Sequence, residues 1–169
     1  TPAAYTIRHS GRFTPYAGLV FELVPGWTVY ANYADTFTPQ SGITADGQAP
    51  RPAVGKQYEA GIKGSPFGDN LLLSLALFQI EQTGRTQTDP EDVRFVLTSG
   101  KIRSKGIEIE ANGELAPGWT LNGGYTYTHL RYINDLYRLG AANERQQPRH
   151  SVKLWSIYRP EAGPLARWS

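Results

Sequence analysis

Four carboxylates, Glu59, Glu108, Glu110 and Glu114, have the spacing that could do chemistry in this chain. Glu108, Glu110 and Glu114 fall on positions of one parity, so in an extended chain they line a single wall. Such a wall could pass cations. The preferred reading is that the acids coat a wet interior and pair with Lys63 or Lys153 on neighbouring strands. His9, His129 and His150 lie far apart and have no carboxylate or nucleophile at motif spacing, so they read as ordinary surface or interfacial histidines. Asp89-Pro90-Glu91-Asp92 lacks the alternating acids of a calcium loop and reads as a solvated tip. Gly123-Gly124 has no phosphate-loop context and marks a bend or a close approach in a strand. The chain has no cysteine, which removes thiolate metal sites, cysteine nucleophiles and disulfides together. No catalytic constellation, metal site or cofactor is expected, so the chain does not read as an enzyme.

The elements that carry these residues alternate with period two. Ala17, Leu19, Phe21 and Leu23 oppose Tyr16, Gly18 and Glu22 in a strand over 13–23, and Trp27, Val29, Ala31 and Tyr33 oppose Thr28, Tyr30 and Asn32 in a strand over 27–37. Lys56 to Gly64 sends Tyr58, Ala60 and Ile62 one way and Gln57, Glu59 and Lys63 the other. Leu71 to about Gly84 is less clean, with a buried helix as the rival. Gly106 to Leu115 alternates most clearly, placing Ile107, Ile109 and Ala111 against the glutamates. Trp119 to Thr128 and Ser151 to Tyr158 complete about seven strands, with Trp155 and Ile157 interrupting the polar face of the last.

One hairpin is written twice. Glu22-Leu23-Val24-Pro25-Gly26-Trp27-Thr28 returns 92 positions later as Glu114-Leu115-Ala116-Pro117-Gly118-Trp119-Thr120. Proline presets one φ and glycine allows the other, so each copy is a tight reversal joining antiparallel neighbours. Short turns at Pro25-Gly26, Ser65–Asn70 and Pro117-Gly118 alternate with long polar stretches at Thr38–Val54, Arg85–Ser99 and Arg131–Gln147. Short turns at one end and long loops at the other are the pattern of outer-membrane barrels, with turns periplasmic and loops extracellular. Trp27 and Trp119 beside the turns then fit the inner aromatic girdle. Tyr33, Phe37, Tyr125 and Tyr127 fit the outer part of the same lipid face.

Composition agrees. Charged residues are 19% of the chain and no run of eighteen apolar residues exists, which excludes membrane helices but not a barrel. A net charge of +2, with cations scattered among acids, is no nucleic-acid signature. Lys56, Lys63, Arg103 and Lys105 read as solvated or interfacial charges. Arg103 and Lys105 fall near the outward end, where pairing with anionic lipid phosphates is physically sensible. Thr1-Pro2-Ala3-Ala4 has no signal-peptide pattern, so an internal fragment is expected.

Three blocks carry a family resemblance: Gly55-Lys56-Gln57-Tyr58-Glu59-Ala60-Gly61-Ile62-Lys63-Gly64, Leu75-Ala76-Leu77-Phe78-Gln79-Ile80-Glu81-Gln82, and Ser99-Gly100-Lys101-Ile102-Arg103-Ser104-Lys105-Gly106-Ile107-Glu108-Ile109-Glu110. With the Pro-Gly-Trp turns, Gly124-Tyr125-Thr126-Tyr127-Thr128 and Pro148-Arg149-His150, they resemble the barrel of TonB-dependent siderophore receptors over nearly the whole chain. The resemblance implies an all-β, antiparallel up-and-down transmembrane barrel of 22 strands, plugged by an N-terminal domain, in the outer membrane of a Gram-negative bacterium. Residues 1–169 would be a partial barrel domain, lacking the plug and the C-terminal strands. The implied work is binding and import of a ferric siderophore with energy relayed through TonB, the siderophore being cargo rather than cofactor. Outer-membrane lipid is a further expected partner. Arg131, Tyr132, Tyr137 and Arg138 suit an anionic, aromatic iron chelate. The alternatives are a receptor for another nutrient such as vitamin B12 or haem, a passive channel, and a soluble all-β binding module. An outer-membrane hydrolase is more distant, since no serine-histidine pair stands at the rim.

Overall fold

Period-two patterning becomes seven strands in one sheet. In the computed structural model, which describes residues 13–66, 68, 70–134 and 148–160, the strands are β1 (Tyr16–Val24), β2 (Trp27–Thr38), β3 (Ala53–Gly64), β4 (Leu71–Thr88), β5 (Val96–Ala116), β6 (Trp119–Asn134) and β7 (His150–Tyr158). Their order across the sheet is their order in the chain, and each pair of neighbours is antiparallel. The ambiguous leucine run is therefore strand β4, not a helix.

Several boundaries differ from the sequence reading. Residues 13–15 precede β1, and β3 starts at Ala53. The expected loop 85–99 is mostly strand, because β4 and β5 stay paired up to Thr88 and Val96 and leave only residues 89–95 as the tip. β6 likewise runs to Asn134, so Arg131 and Tyr132 lie in a strand. In these stretches apolar residues no longer keep one parity, as at Val96-Leu97 and Tyr132-Ile133, so the ladder continues after the alternation that reveals a strand has stopped.

Cross-strand partners share a face, so the register converts parity into two surfaces. One row runs Phe21, Val29, Ile62, Leu75, Ile109, Tyr125, Val152, and the next runs Leu19, Ala31, Ala60, Leu77, Ile107, Tyr127, His150. The opposite face carries Glu22, Thr28, Lys63, Ser74, Glu110, Gly124, Lys153 in one row and Asn32, Glu59, Phe78, Gly106, Thr128 in another. Ile107 and Leu121 thus point away from Glu108, as the alternation requires.

Among the described residues, buried apolar side chains are confined to Pro50, Ala53, Leu71, Ala76 and Tyr132, while Leu19 is 79% and Val152 73% exposed. The sheet has no core of its own. Its cohesion is the hydrogen-bond ladder together with aromatic rings seated on glycines of the facing strand. Trp27 lies over Gly64, Tyr30 over Gly61 and Phe78 over Gly106, each pair in direct register. A Cβ on Gly64 would stand 2.5 Å from the Trp27 ring, so only glycine admits the indole.

Both Pro-Gly turns share a further device. Glu22 pairs with Thr28 and Val24 with Trp27, leaving Leu23 as an extra residue; Glu114 pairs with Thr120 and Ala116 with Trp119, leaving Leu115 extra. The alternation therefore slips at both leucines, and Leu23 does not simply continue the row of Phe21.

Candidate functional site

The polar face holds the wall of acids. Tyr30 donates to Glu59 Oε1 at 2.9 Å, Thr126 to Glu108 Oε1 at 3.2 Å and Ser74 to Glu110 Oε2 at 3.5 Å. Lys63 sits over the Tyr30 ring, 5.9 Å from its centre. The expected pairing of these acids with Lys63 or Lys153 is not formed. Among the described residues the salt bridges are Arg94–Asp92, Lys101–Glu81 and Arg103–Glu81. The register explains this, because Gly124 stands between Glu110 and Lys153 and places them two strands apart, about 10 Å. Glu108, Glu110, Asn122, Ser151 and Lys153 border a shallow hollow of about 260 Å³ that is fit for water and small polar groups.

At the loop end, Gln40 locks the β2–β3 connection onto the β4–β5 hairpin. Its amide nitrogen donates to the carbonyls of Arg51 (2.7 Å) and Gly84 (2.6 Å), and its oxygen accepts from the Thr86 backbone N–H at 2.7 Å. The Val96 N–H donates to the Ile43 carbonyl at 2.9 Å. These two connections form one clamped unit.

The Asp89–Asp92 tip is internally satisfied. Asp89 accepts from the Glu91 N–H, and Asp92 takes a forked contact from Arg94 at 2.6 to 3.1 Å. Hydrogen bonds from the Arg94 side chain hold the Asp92 carboxyl below its usual range. Among the described residues no three metal-ligating side chains cluster. His129 accepts from Arg131 at 2.7 Å and His150 shares a 2.8 Å bond with the Tyr125 hydroxyl, so these two histidines serve separate neighbours; His9 lies outside the described residues.

The apolar face is banded. Trp27 and Trp119 stand at the turn end, half-buried and 41% exposed respectively, and the Trp119 indole donates to Ser156 at 2.8 Å. Above the two apolar rows, Tyr33 and Tyr58 pack with ring centres 5.1 Å apart. Tyr125 and Tyr127 lie on this face too, around His150. One row further toward the loops the face turns charged. Asp35, Lys56, Glu81, Arg103 and Arg131 stand in register on five successive strands, with Lys101 and Lys105 flanking Arg103 on β5. Glu81 holds both Lys101 (3.1 Å) and Arg103 (2.5 Å).

The four residues put forward for ligand capture do not come together. Arg131 is exposed on the apolar-face side, Tyr132 is 6% exposed and points to the opposite face, and Tyr137 and Arg138 lie outside the described residues. The parity of Tyr125, Tyr127 and His129 would have placed Arg131 correctly. Reading residue 131 as the start of a loop discarded that signal, and it also hid the charged row.

All 169 residues, 1–169, match the family model described as TonB dependent receptor-like, beta-barrel. A ferric-pyoverdine receptor of a Pseudomonas species is 39% identical over 163 residues, covering 94% of this chain and 20% of the relative. The ferrichrome outer membrane transporter and phage receptor of Escherichia coli is 34% identical over 159 residues, covering 94% of this chain and 21% of the relative. The crystal structure of the outer-membrane ferripyoverdine receptor of Pseudomonas aeruginosa, bound to ferripyoverdine, superposes with a TM-score of 0.80 at 34% identity, over 94% of this chain and 22% of that one. The chain thus spans about a fifth of the length of these relatives.

Proposed function

Because this chain belongs to the TonB-dependent receptor β-barrel family, we propose that it is an arc of the barrel wall of an outer-membrane receptor that imports ferric siderophores. The family consists of transport receptors, not enzymes, and its curated relatives are outer-membrane proteins of Gram-negative bacteria. The observation that carries the proposal is the register: seven neighbouring strands put every apolar row on one face and the hydroxyl-held acids on the other. An apolar face whose edge strands, β1 and β7, have no outer partner among the described residues suits a wall continued by further strands and covered by lipid, and it counts against the soluble binding module.

In the complete receptor this sheet would be one arc of a 22-stranded barrel, and the acid wall would face water and a plug domain that TonB acts upon. Trp27 and Trp119 would mark the periplasmic interface. The clamped loops and the segment after β6, which brings Tyr137 and Arg138, would face the medium, where cationic and aromatic groups recognise an anionic chelate. Buried Tyr132 would hold the strand end from which that segment departs. The wall binds and guides; no bond is made or broken by it.

The test is uptake of iron-55 carried by ferripyoverdine, ferrichrome or ferrioxamine B into cells whose only siderophore receptor is the full-length protein. Uptake of at least one chelate that disappears when TonB is deleted is expected. Uptake that persists without TonB would establish a passive channel, and uptake of vitamin B12 or haem alone would establish a different cargo.

A further inference from the structure

We propose that Gln40 is a positioning residue for capture of the chelate: by tying the β2–β3 connection to the β4–β5 hairpin, it presents the two to the medium as one preformed wall. The inference rests on the reading of the chain as part of a siderophore receptor whose loops meet the ligand.

Gln40 takes the place of a strand residue. β3 pairs with β4 only as far as Thr83, and the β4–β5 pairing skips Gly84 and Thr86 at two register shifts. Beyond Thr83, β4 would therefore present an open edge. A primary amide carries a carbonyl and N–H groups as a peptide does, and the Gln40 amide takes that edge. It donates to the Gly84 carbonyl at 2.6 Å and accepts from the Thr86 N–H at 2.7 Å. It also donates to the Arg51 carbonyl at 2.7 Å, at the far end of its own loop, and accepts from the Thr86 hydroxyl at 3.2 Å. The donors and acceptors of the amide are thereby all engaged.

The rest of the loop is held down with it. The Ile43 carbonyl accepts from the Val96 N–H at 2.9 Å, and Gly42 lies so close to β5 that a Cβ there would stand 2.9 Å from Val96 Cγ2. Thr44 closes the outer turn, its N–H and its hydroxyl both donating to the Gln48 carbonyl at 2.9 Å. Pro50 is less than 2% exposed, although most large apolar side chains of the sheet are open. The hairpin is closed too, by the Asp89 N–H on the Phe95 carbonyl at 3.0 Å. A connection over 39–52 is long for a loop, and ordering it when ligand arrives would cost affinity. Gln40 removes that cost beforehand, so its loss should weaken capture and leave later steps of import alone.

The experiment gives iron-55, as ferripyoverdine, ferrichrome or ferrioxamine B, to cells whose only siderophore receptor is the full-length protein. Gln40→Leu keeps the bulk and makes no hydrogen bond. If it leaves about a tenth of the receptors with the loop docked, the half-saturating concentration rises about tenfold, while the maximal TonB-dependent rate stays unchanged. Gln40→Glu keeps the acceptor for Thr86, loses both donors and should behave alike. Adding Gly42→Cys/Val96→Cys to Gln40→Leu allows a substitute tie, because the two Cβ positions are 3.6 Å apart, within disulfide range. The oxidised protein should regain the wild-type half-saturating concentration and the reduced one should not. The φ of 123° at residue 42 is common to both states. Rescue by a remote tie would not follow if Gln40 touched the ligand itself. In the purified receptor without ligand, nitroxides at Ala45→Cys and Val93→Cys, both exposed, should report one narrow distance that broadens in Gln40→Leu. Should Gln40→Leu fail the heat-shift test for a folded barrel, Gly42→Ala, which pushes the loop off Val96, should still raise the half-saturating concentration about threefold. Unchanged label distances, an unchanged half-saturating concentration, a fall in maximal rate alone, or failure of the disulfide to rescue would each overturn the proposal. Wild-type cells that import none of the chelates, with the label distance still narrow, would remove the receptor reading on which capture rests. Normal import that is indifferent to Gln40 would remove only the positioning role.

Discussion

At Pro25-Gly26 there is room beside the glycine Cα; at Pro117-Gly118 the glycine is wedged against Arg159, just past the end of β7. Both glycines have positive φ, 80° and 71°. Both carbonyls are capped from a third strand, Gly26 by the Ser65 N–H at 3.1 Å and Gly118 by the Arg159 N–H at 2.7 Å. A methyl on Gly26 would meet only the Ser65 carbonyl at 4.0 Å, while one on Gly118 would overlap the Arg159 carbonyl oxygen. Turn chemistry therefore sets the shape of each reversal, and how the third strand docks sets how tightly it is held. A repeated motif repeats its geometry without repeating its energetics.

The sharpest way to break that comparison is to put alanine at both turns. A left-handed backbone costs a non-glycine residue roughly 1–2 kcal/mol, a penalty Gly26→Ala and Gly118→Ala share. Overpacking against backbone adds typically 1–3 kcal/mol, and only Gly118→Ala incurs it. In the full-length receptor folded into vesicles, the urea midpoint should fall clearly further for Gly118→Ala than for Gly26→Ala. Equal losses would show that docking of the third strand contributes nothing.

The tryptophans differ as well, and a double-mutant cycle reads the difference. Trp27 covers Gly64, whereas Trp119 is 41% exposed and spends its indole N–H on Ser156. Gly64→Ala should destabilise the receptor in the presence of Trp27 and do less harm on top of Trp27→Ala, with a coupling of about 1–2 kcal/mol. Relief should be incomplete, because the Gly26 carbonyl also stands 2.7 Å from the added Cβ. Trp119→Phe should cost only the one hydrogen bond, about 1 kcal/mol. Additivity of the Gly64 and Trp27 substitutions would show that the ring is not held by the glycine.

What could be read beforehand follows the same division between local and distant causes. Alternation from Phe21 to Leu154 identified six of the seven strands and the facing of Ile107, Leu121 and Glu108, because a wall wet on one side and apolar on the other writes period two into the chain; the leucine run of β4 blurred it and left a helix as rival. Alternation failed where apolar residues no longer keep one parity: Arg85–Thr88 is strand yet wholly polar, and Val96–Ser99 is strand yet sets Val96 beside Leu97 and Thr98 beside Ser99. Register was not legible either. That Lys153 would stand across Gly124 from Glu110, and that Arg131 would face Arg103, depends on the bulge at Leu115, which shifts the β5–β6 pairing by one residue. The acids could be assigned to one wall in advance, but their partners, the hydroxyls of Tyr30, Thr126 and Ser74, could not.

The smallest contrast lies in the glutamate that opens each copy. Glu114 turns back on its own hairpin and accepts the Gly118 N–H at 2.8 Å, whereas no such bond joins Glu22 to Gly26 among the described residues. The docked turn thus has a carboxylate brace that the free turn lacks. Glu114→Ala should lower stability by about 0.5–1 kcal/mol, the scale of one exposed hydrogen bond, and Glu22→Ala should stay within about 0.3 kcal/mol of wild type, as surface changes usually do. Glu114→Gln keeps an acceptor oxygen and should recover most of the loss, which separates the hydrogen bond from the charge. A Gln variant as weak as the Ala variant would mean that the charge is what matters. Matched losses at Glu22 and Glu114 would mean instead that the brace works through the strand both glutamates share in kind, and the two hairpins would be energetically alike after all.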